Sequence, residues 1–326
     1  MNIRQQILRM VRRVVGTQMI ADLIRDSQGS SSHAESGTYQ QLWRSAASEV
    51  IDLRRRVAEL ERDSERLSGI FQRLDRQEVV VREAADHLRD VVRAQIDETV
   101  RAMQPVRVLA DRQVADGSPD HVHPRGTAHD NTRSLRFVLA CERLFGSQLT
   151  LLDLGCAGGG LVLDFVLRGH SAVGIEGSDY SLKHRRGEWA VIPTRLFTAD
   201  LGAPFTVEND DGTPASFTVI TAWEVLEHIA ERDLGVMLSN VARHLADGGI
   251  FVGSVAMYDD VVEGINWHQT VRPQEWWLHT FADHGFEAVK APLFNTNDFV
   301  RGSGNGIDDV DFAIRPELGF TFMLKR

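Results

Sequence analysis

Four carboxylates, one glycine turn and two histidines stand at places where a folded chain would gather them. The run Leu149-Thr150-Leu151-Leu152-Asp153-Leu154-Gly155-Cys156-Ala157-Gly158-Gly159-Gly160 joins an apolar segment to a turn with almost no side-chain bulk. Bare backbone N–H groups in such a turn approach a polar ligand closely. An acid just ahead of it, Asp153, suits a ligand with an ammonium group. Glu176 follows 23 residues after Asp153, and a carboxylate there can hold both hydroxyls of a ribose. Asp200 with Leu201, and then Glu224, supply further polar ends. His228 and His268 are the candidate proton acceptors, because a neutral imidazole can take a hydroxyl proton near neutral pH.

These residues need elements to position them. Residues 149–152 read as a short buried strand and 161–168 as a helix, with Gly169 just past its end. Further strands are expected at 172–175, 195–198, 217–222 and 250–255, and helices near 132–145, 180–188, 232–245 and 274–284. The chain closes on an apolar, β-rich stretch at 319–324. Strand and helix in alternation make an α/β, doubly wound, mostly parallel sheet. Its ligands bind beyond the carboxyl ends of the strands, so the acids should converge on one acidic crevice.

Two cofactor classes use a turn of this kind. As a dinucleotide fingerprint, Gly155-x-Ala157-x-x-Gly160 fits with Ala in the middle place, and Glu176 fits as its ribose acid. The charge of Asp153 points the other way, since that position is usually apolar in the dinucleotide class. The run Asp153-x-Gly155-x-Ala157-x-Gly159 resembles motif I of the class I S-adenosylmethionine-dependent methyltransferases, Asp-x-Gly-x-Gly-x-Gly. Ala157 stands where that family usually has Gly. Glu224-Val225-Leu226-Glu227-His228 resembles the family's Glu-Val-Leu-Glu-His stretch, and Ala246-Asp247-Gly248-Gly249 its Pro-Gly-Gly turn. The resemblance spans about residues 150 to 290. It implies a Rossmann-like sheet of seven strands and S-adenosylmethionine as cofactor, with S-adenosylhomocysteine as product. It also implies a cofactor site at Asp153, Gly155, Ala157, Gly159, Glu176, Asp200, Leu201 and Glu224, with Asp200 receiving the adenine amino group. A turn or N-cap role is the other reading of Asp200.

The acceptor is read from a looser likeness. His268 to Pro273 resembles the His-x-x-x-x-Pro segment of methyltransferases that modify sugars and glycans, several of which carry a long coiled coil. It implies a saccharide or glycan hydroxyl as acceptor and His268 as base; a substrate contact or a structural role are its other readings. His228 is the second catalytic candidate, with a helix-packing role beside it. An acidic crevice should hold the pKa of His268 at or above the usual 6.5 or so. A small aromatic or lipid-like acceptor, and a scaffold that only binds the cofactor, are the rival functions, the latter supported by Ala157. No metal ligand is assigned: Asp259, Asp260 and Glu263 read as solvated loop acids. Residues 105–131, with His121, His123 and His129, read as an irregular linker or a flap over the cofactor.

The first third of the chain is different. Residues 1–28 read as a basic amphipathic helix, suited either to anionic lipid through residues 1–26 or to packing on the protein itself. Residues 29–41 read as a linker, 42–104 as a helical coiled coil, and 105–326 as the catalytic domain. From Val50 a heptad places Leu53, Leu60, Leu67, Leu74, Val81 and Leu88 at d. One helix cannot bury such a seam, so homo-oligomerisation is expected, with a hairpin broken near Gly69 as the alternative. A net charge of −10 and a pI near 5.6 exclude a general nucleic-acid binder. Cys141 and Cys156 form no disulfide framework, and no run of 18 apolar residues occurs. A cytoplasmic protein is expected.

Overall fold

The structure is a computed structural model. It describes residues 35–289, 294, 312 and 314–326. The basic helix read over 1–28 lies outside the described residues.

The chain divides into two compact units between His87 and Leu88. The described part of the first lies in α1 (Glu35–Ala102). Residues 35–41, read as linker, belong to this helix: once a helix exists, adding a residue is far cheaper than starting anew. Gly69 also sits inside α1, at about 1 kcal/mol relative to Ala, so no hairpin forms there. The d-position residues Leu53, Leu60, Leu67, Leu74 and Val81 are 50–68% exposed. Among the described residues, no helix is long and apolar enough to cross a membrane.

The second unit carries the remaining elements: β1 (Val106–Ala110), α2 (Leu135–Phe145), β2 (Thr150–Leu154), α3 (Gly160–Leu167), β3 (Ser171–Glu176), β4 (Leu196–Thr198), β5 (Phe205–Asn209), β6 (Phe217–Trp223), α4 (Leu234–His244), β7 (Leu245–Ala256), β8 (Val261–Val262), β9 (Ile265–Asn266), α5 (Gln274–Asp283), β10 (Glu287–Ala288) and β11 (Gly319–Lys325). Seven strands form one sheet in the order β10-β11-β7-β6-β2-β3-β4. The ladders from β7 to β4 are parallel, and β11 and β10 join antiparallel. This is the α/β, Rossmann-like, mostly parallel sheet the motifs implied.

The short ribbon β1–β5 was not read from the sequence. Five-residue strands bounded by Pro, Gly and Asp give little period, although Val106, Val108 and Ala110 alternate toward the core. The helix read over 180–188 is only Tyr180–Lys183, because Arg185 turns left-handed with φ 48°.

Alternate strand residues feed two cores, one on each face of the sheet. Leu152, Leu154, Ile220 and Ala222 pack with α4 and α5. Leu151 and Val219 pack with α2 and α3, where Ile96 from the end of α1 is also buried. Strand order runs outward from β2 through β3 and β4 on one side and from β6 to β7 on the other. The connections therefore part between β2 and β6, and a crevice opens at their carboxyl ends.

Candidate active site

A cavity of about 870 Å³ lies over those strand ends. Asp153, Gly155, Ala157, Glu176, Asp200, Leu201, Glu224, His228 and His268 all line it. Gly159 does not; it closes the turn beneath. The sequence-derived residues thus come together, drawn from five separate stretches of chain.

The turn after β2 is left-handed at alternate residues, Gly155 (φ 71°), Ala157 (φ 46°) and Gly159 (φ 85°). This explains the spacing of the motif: each small residue occupies a place where a side chain is strained. A Cβ at Gly155 would lie 2.4 Å from Cγ2 of Val225, so only Gly fits. Ala157 accepts the strain, about 1–2 kcal/mol for an L-residue, while its N–H donates to Glu176 Oε2 at 2.7 Å and its carbonyl accepts from Trp189 Nε1. The ribose-type acid is therefore tied to the turn itself.

Asp153 is buried, not merely terminal, and pairs across the ladder with Thr221. Burial pushes its pKa up to about 7, against the pull of the Thr221 hydroxyl, which donates to it at 2.6 Å. Burial likewise raises the pKa of Glu176, although it accepts N–H bonds from Ala157 and Ser178. A crevice lined by buried carboxylates, once they are ionised, favours a cationic ligand. Glu224 follows β6 in left-handed backbone at φ 51°, a strain commonly kept at ligand sites.

Asp200 takes the turn role and also forms an ion pair. Its Oδ1 accepts from Gly202 N–H at 2.8 Å as a turn residue, and its Oδ2 pairs with Arg112 at 3.0 Å. Arg112 was missed, as were Asp120, Thr127, Asn131 and Tyr258, all of which line the cavity. Most come from the stretch between β1 and α2, read as a linker or a flap. It covers the crevice: Thr127 Oγ1 reaches Glu176, and Arg125 pairs with Asp260 at 3.0 Å. His121, His123 and His129 go separate ways, His121 toward Asp116 and His123 beside Trp267. Only the length of that stretch hinted at a function, since it has no periodicity.

On the far side of the cavity His228 and His268 meet edge to face, ring centroids 4.9 Å apart. The loop bearing His268 is stitched to the chain after β6: Thr270 N–H donates to Glu227 O, Thr270 Oγ1 to Ile229 O, and Gln269 Nε2 to His228 O. Burial would lower the pKa of His228, but Asp120, 2.7 Å from its Nδ1, with Glu227 and Glu224, carries it up to about 9. His228 is therefore a cation at neutral pH. His268 goes the opposite way to the sequence expectation. Burial and then the charge of His228 lower its pKa, outweighing Asp260 and Asp120. Its Nδ1 donates to the Tyr258 carbonyl, so the neutral ring keeps its lone pair at Nε2. The site thus pairs a fixed cation with a neutral base. Trp277 is the one fully buried member of the adjacent pair Trp276 and Trp277, and Trp267 is buried under the loop.

The family model described as "Methyltransferase domain" matches residues 124–291, just over half of the chain. A search of curated proteins finds no match. The solved structures that resemble the chain include a TehB-like SAM-dependent methyltransferase from Corynebacterium glutamicum, 17% identical, covering 62% of this chain and 93% of that one at a TM-score of 0.40. An S-adenosylmethionine-dependent methyltransferase from Clostridium acetobutylicum is 14% identical, covering 63% and 96% at a TM-score of 0.43. The glycopeptide N-methyltransferase MtfA, solved with S-adenosylmethionine, is 16% identical, covering 59% and 94% at a TM-score of 0.39.

Proposed function

The chain belongs to the methyltransferase-domain family, whose methyl donor is S-adenosylmethionine, and from that premise we propose that it is an O-methyltransferase acting on a hydroxyl of a saccharide or glycan. The observation that carries this reading is His268: neutral, tautomer fixed by the Tyr258 carbonyl, and open to the cavity opposite the strand-end acids. A sugar hydroxyl is a poor nucleophile at neutral pH and needs such a base.

The cavity's chemistry fits the cofactor. Asp153 would take the ammonium end, Glu176 the ribose hydroxyls, and Asp200 and Leu201 the adenine, with Glu224 beside them in the same cavity. When bound, the cofactor supplies an electrophilic methyl on a sulfonium and leaves as S-adenosylhomocysteine. His268 Nε2 would take the proton of the acceptor hydroxyl. His228, already protonated, does not compete for it; it holds Asp120 and fixes the base's neighbour. The flap residues Thr127 and Arg125 lie over the crevice, held by Glu176 and Asp260. Incubation with a panel of sugars and glycolipids tests the reading: one compound should gain about 14 mass units, one methyl for one hydrogen, only in the presence of the cofactor. Cofactor binding with no product from any hydroxyl compound would favour the scaffold or another acceptor.

We infer further that the seam of α1 is covered by a second copy. Its exposed Leu and Val at heptad spacing support this reading. Light scattering on the full chain and on a form starting at Leu88, which keeps Ile96 in the core, should show a lower mass multiple for the shorter form. An unchanged multiple rejects the seam as the interface.

A further inference from the structure

The residues on the acceptor side also form a cluster that the methyl-transfer reading does not use up. Glu227, His228 and His268 each offer one ligand atom, and these atoms lie within 4.8 Å of one another. Among the described residues no other group of histidines, cysteines and acids has this spacing. Glu227 is fully buried; Oε1 accepts the Ala256 N–H at 2.8 Å, whereas Oε2 is buried with no hydrogen-bond partner. A carboxylate oxygen left bare in the interior is costly, and a bound cation removes that cost.

Both imidazoles are held from behind. Asp120 sits 2.7 Å from Nδ1 of His228, and the Tyr258 carbonyl accepts from Nδ1 of His268. Carboxylate or carbonyl support at one ring nitrogen is how proteins orient the other toward a metal. The three ligand residues are also locked together by the bonds from Thr270 and Gln269 to the backbone of residues 227–229.

We propose that Glu227, His228 and His268 form a binding site for a divalent transition metal of the zinc class, with Asp120 and the Tyr258 carbonyl as its outer support. Two imidazoles and one carboxylate suit Zn²⁺ or Co²⁺ and not the all-oxygen preference of Mg²⁺ or Ca²⁺, the ion taking the place of the proton that His228 carries in its absence. Three protein ligands leave a fourth position for water. The inference rests on His268 being the base, and it assigns the metal a regulatory effect: an ion on Nε2 occupies the lone pair that must take the acceptor proton. Zn²⁺ therefore switches methyl transfer off.

The test uses the full chain stripped with a chelator and titrated with Co²⁺, read by the visible bands of the bound ion without any substrate. The wild type should take up one Co²⁺ per chain, displaced by Zn²⁺. Glu227→Gln and His268→Ala should abolish the bands, and Asp120→Asn should weaken uptake about 10–100-fold. Added Zn²⁺ should suppress methyl transfer by the stripped enzyme in step with occupancy. No saturable Co²⁺ uptake by the wild type, or uptake unchanged in His268→Ala, overturns the site. If Glu227→Gln fails to fold, His268→Ala decides alone. Failed uptake with intact methyl transfer sinks the metal site only, whereas intact uptake with no methyl transfer counts against the O-methyltransferase reading only.

Discussion

The two sides of the crevice are built differently. On one side the acids ride on or just beyond strand ends, and the ladder sets their place: Asp153 lies opposite Thr221, and Glu176 is bonded to the turn after β2. On the other side nothing is fixed by the sheet alone. Asp120 comes from the stretch before α2, His228 from a short turn after β6, and His268 from the loop after β7. They meet through side-chain pairs and three bonds between loop segments. The first side is rigid by topology; the second is rigid only by contact. Binding of a common cofactor suits the first, and choice of acceptor suits the second.

That division can be broken by experiment. The largest effect is expected for His268→Ala, which should lower kcat by roughly 10²–10⁴ while leaving cofactor Kd near wild type. A comparable loss of cofactor affinity would mean that the two sides are one. Next, Asp153→Ala or Glu176→Ala should raise cofactor Kd tenfold or more, about 1.4 kcal/mol, with kcat at saturation reduced much less. Calorimetry on both variants checks this, and unchanged affinity in both sinks the assignment.

The pH dependence sharpens it. Asp153 rises from 3.8 to about 7 on folding, so between those values the folded protein keeps a proton that the unfolded chain has lost. This contribution to the stability of the cofactor-free protein is fully present below about 3.8 and is lost as pH rises through about 7. Cofactor affinity should run oppositely, rising with pH up to about tenfold per unit until Asp153 is ionised. Thr221→Val, which removes the hydroxyl that favours the charged form, should move that rise to higher pH. A flat affinity from pH 5 to 8, about two units below to one above that pKa, would contradict the buried placement. The smallest effect is expected for Ala157→Gly. Relief of about 1–2 kcal/mol of left-handed strain is offset by about 0.5–1 kcal/mol of glycine entropy, so thermal stability should change by no more than about 1.5 kcal/mol.

The same division explains what could be read in advance. The strand-end acids were legible because each belongs to a local pattern, an apolar run followed at once by a polar residue. Their convergence then follows from one topological rule. Asp120, Thr127 and Arg112 were not legible, since their partners lie across the fold: Thr127 meets Glu176 and Arg112 meets Asp200. His268 was found by its type and its loop, but the direction of its pKa was not. The crevice is acidic as a whole, yet the charge that acts most on His268 is a histidine that those same acids keep protonated. Glu227 shows the limit most clearly. It stands beside His228 in sequence like any helix-turn acid, and only the complete burial of one bare oxygen sets it apart.

The loop between Tyr258 and His268 hangs from two fixed points. Tyr258 fixes His268 by its carbonyl, and Thr270 and Gln269 bind the backbone of residues 227–229, while the intervening hairpin β8–β9 is tied back at its end, where Asn266 Oδ1 accepts the His268 N–H. Its tip carries Gly264 in left-handed backbone and a solvent-facing Val261. Descendants of this chain can therefore rewrite the tip of the hairpin, at Glu263 and Gly264, while Asn266 keeps its bond to His268. The fold keeps its chemistry in the anchors and leaves the span between them to evolutionary drift, where a new acceptor can be acquired one loop change at a time.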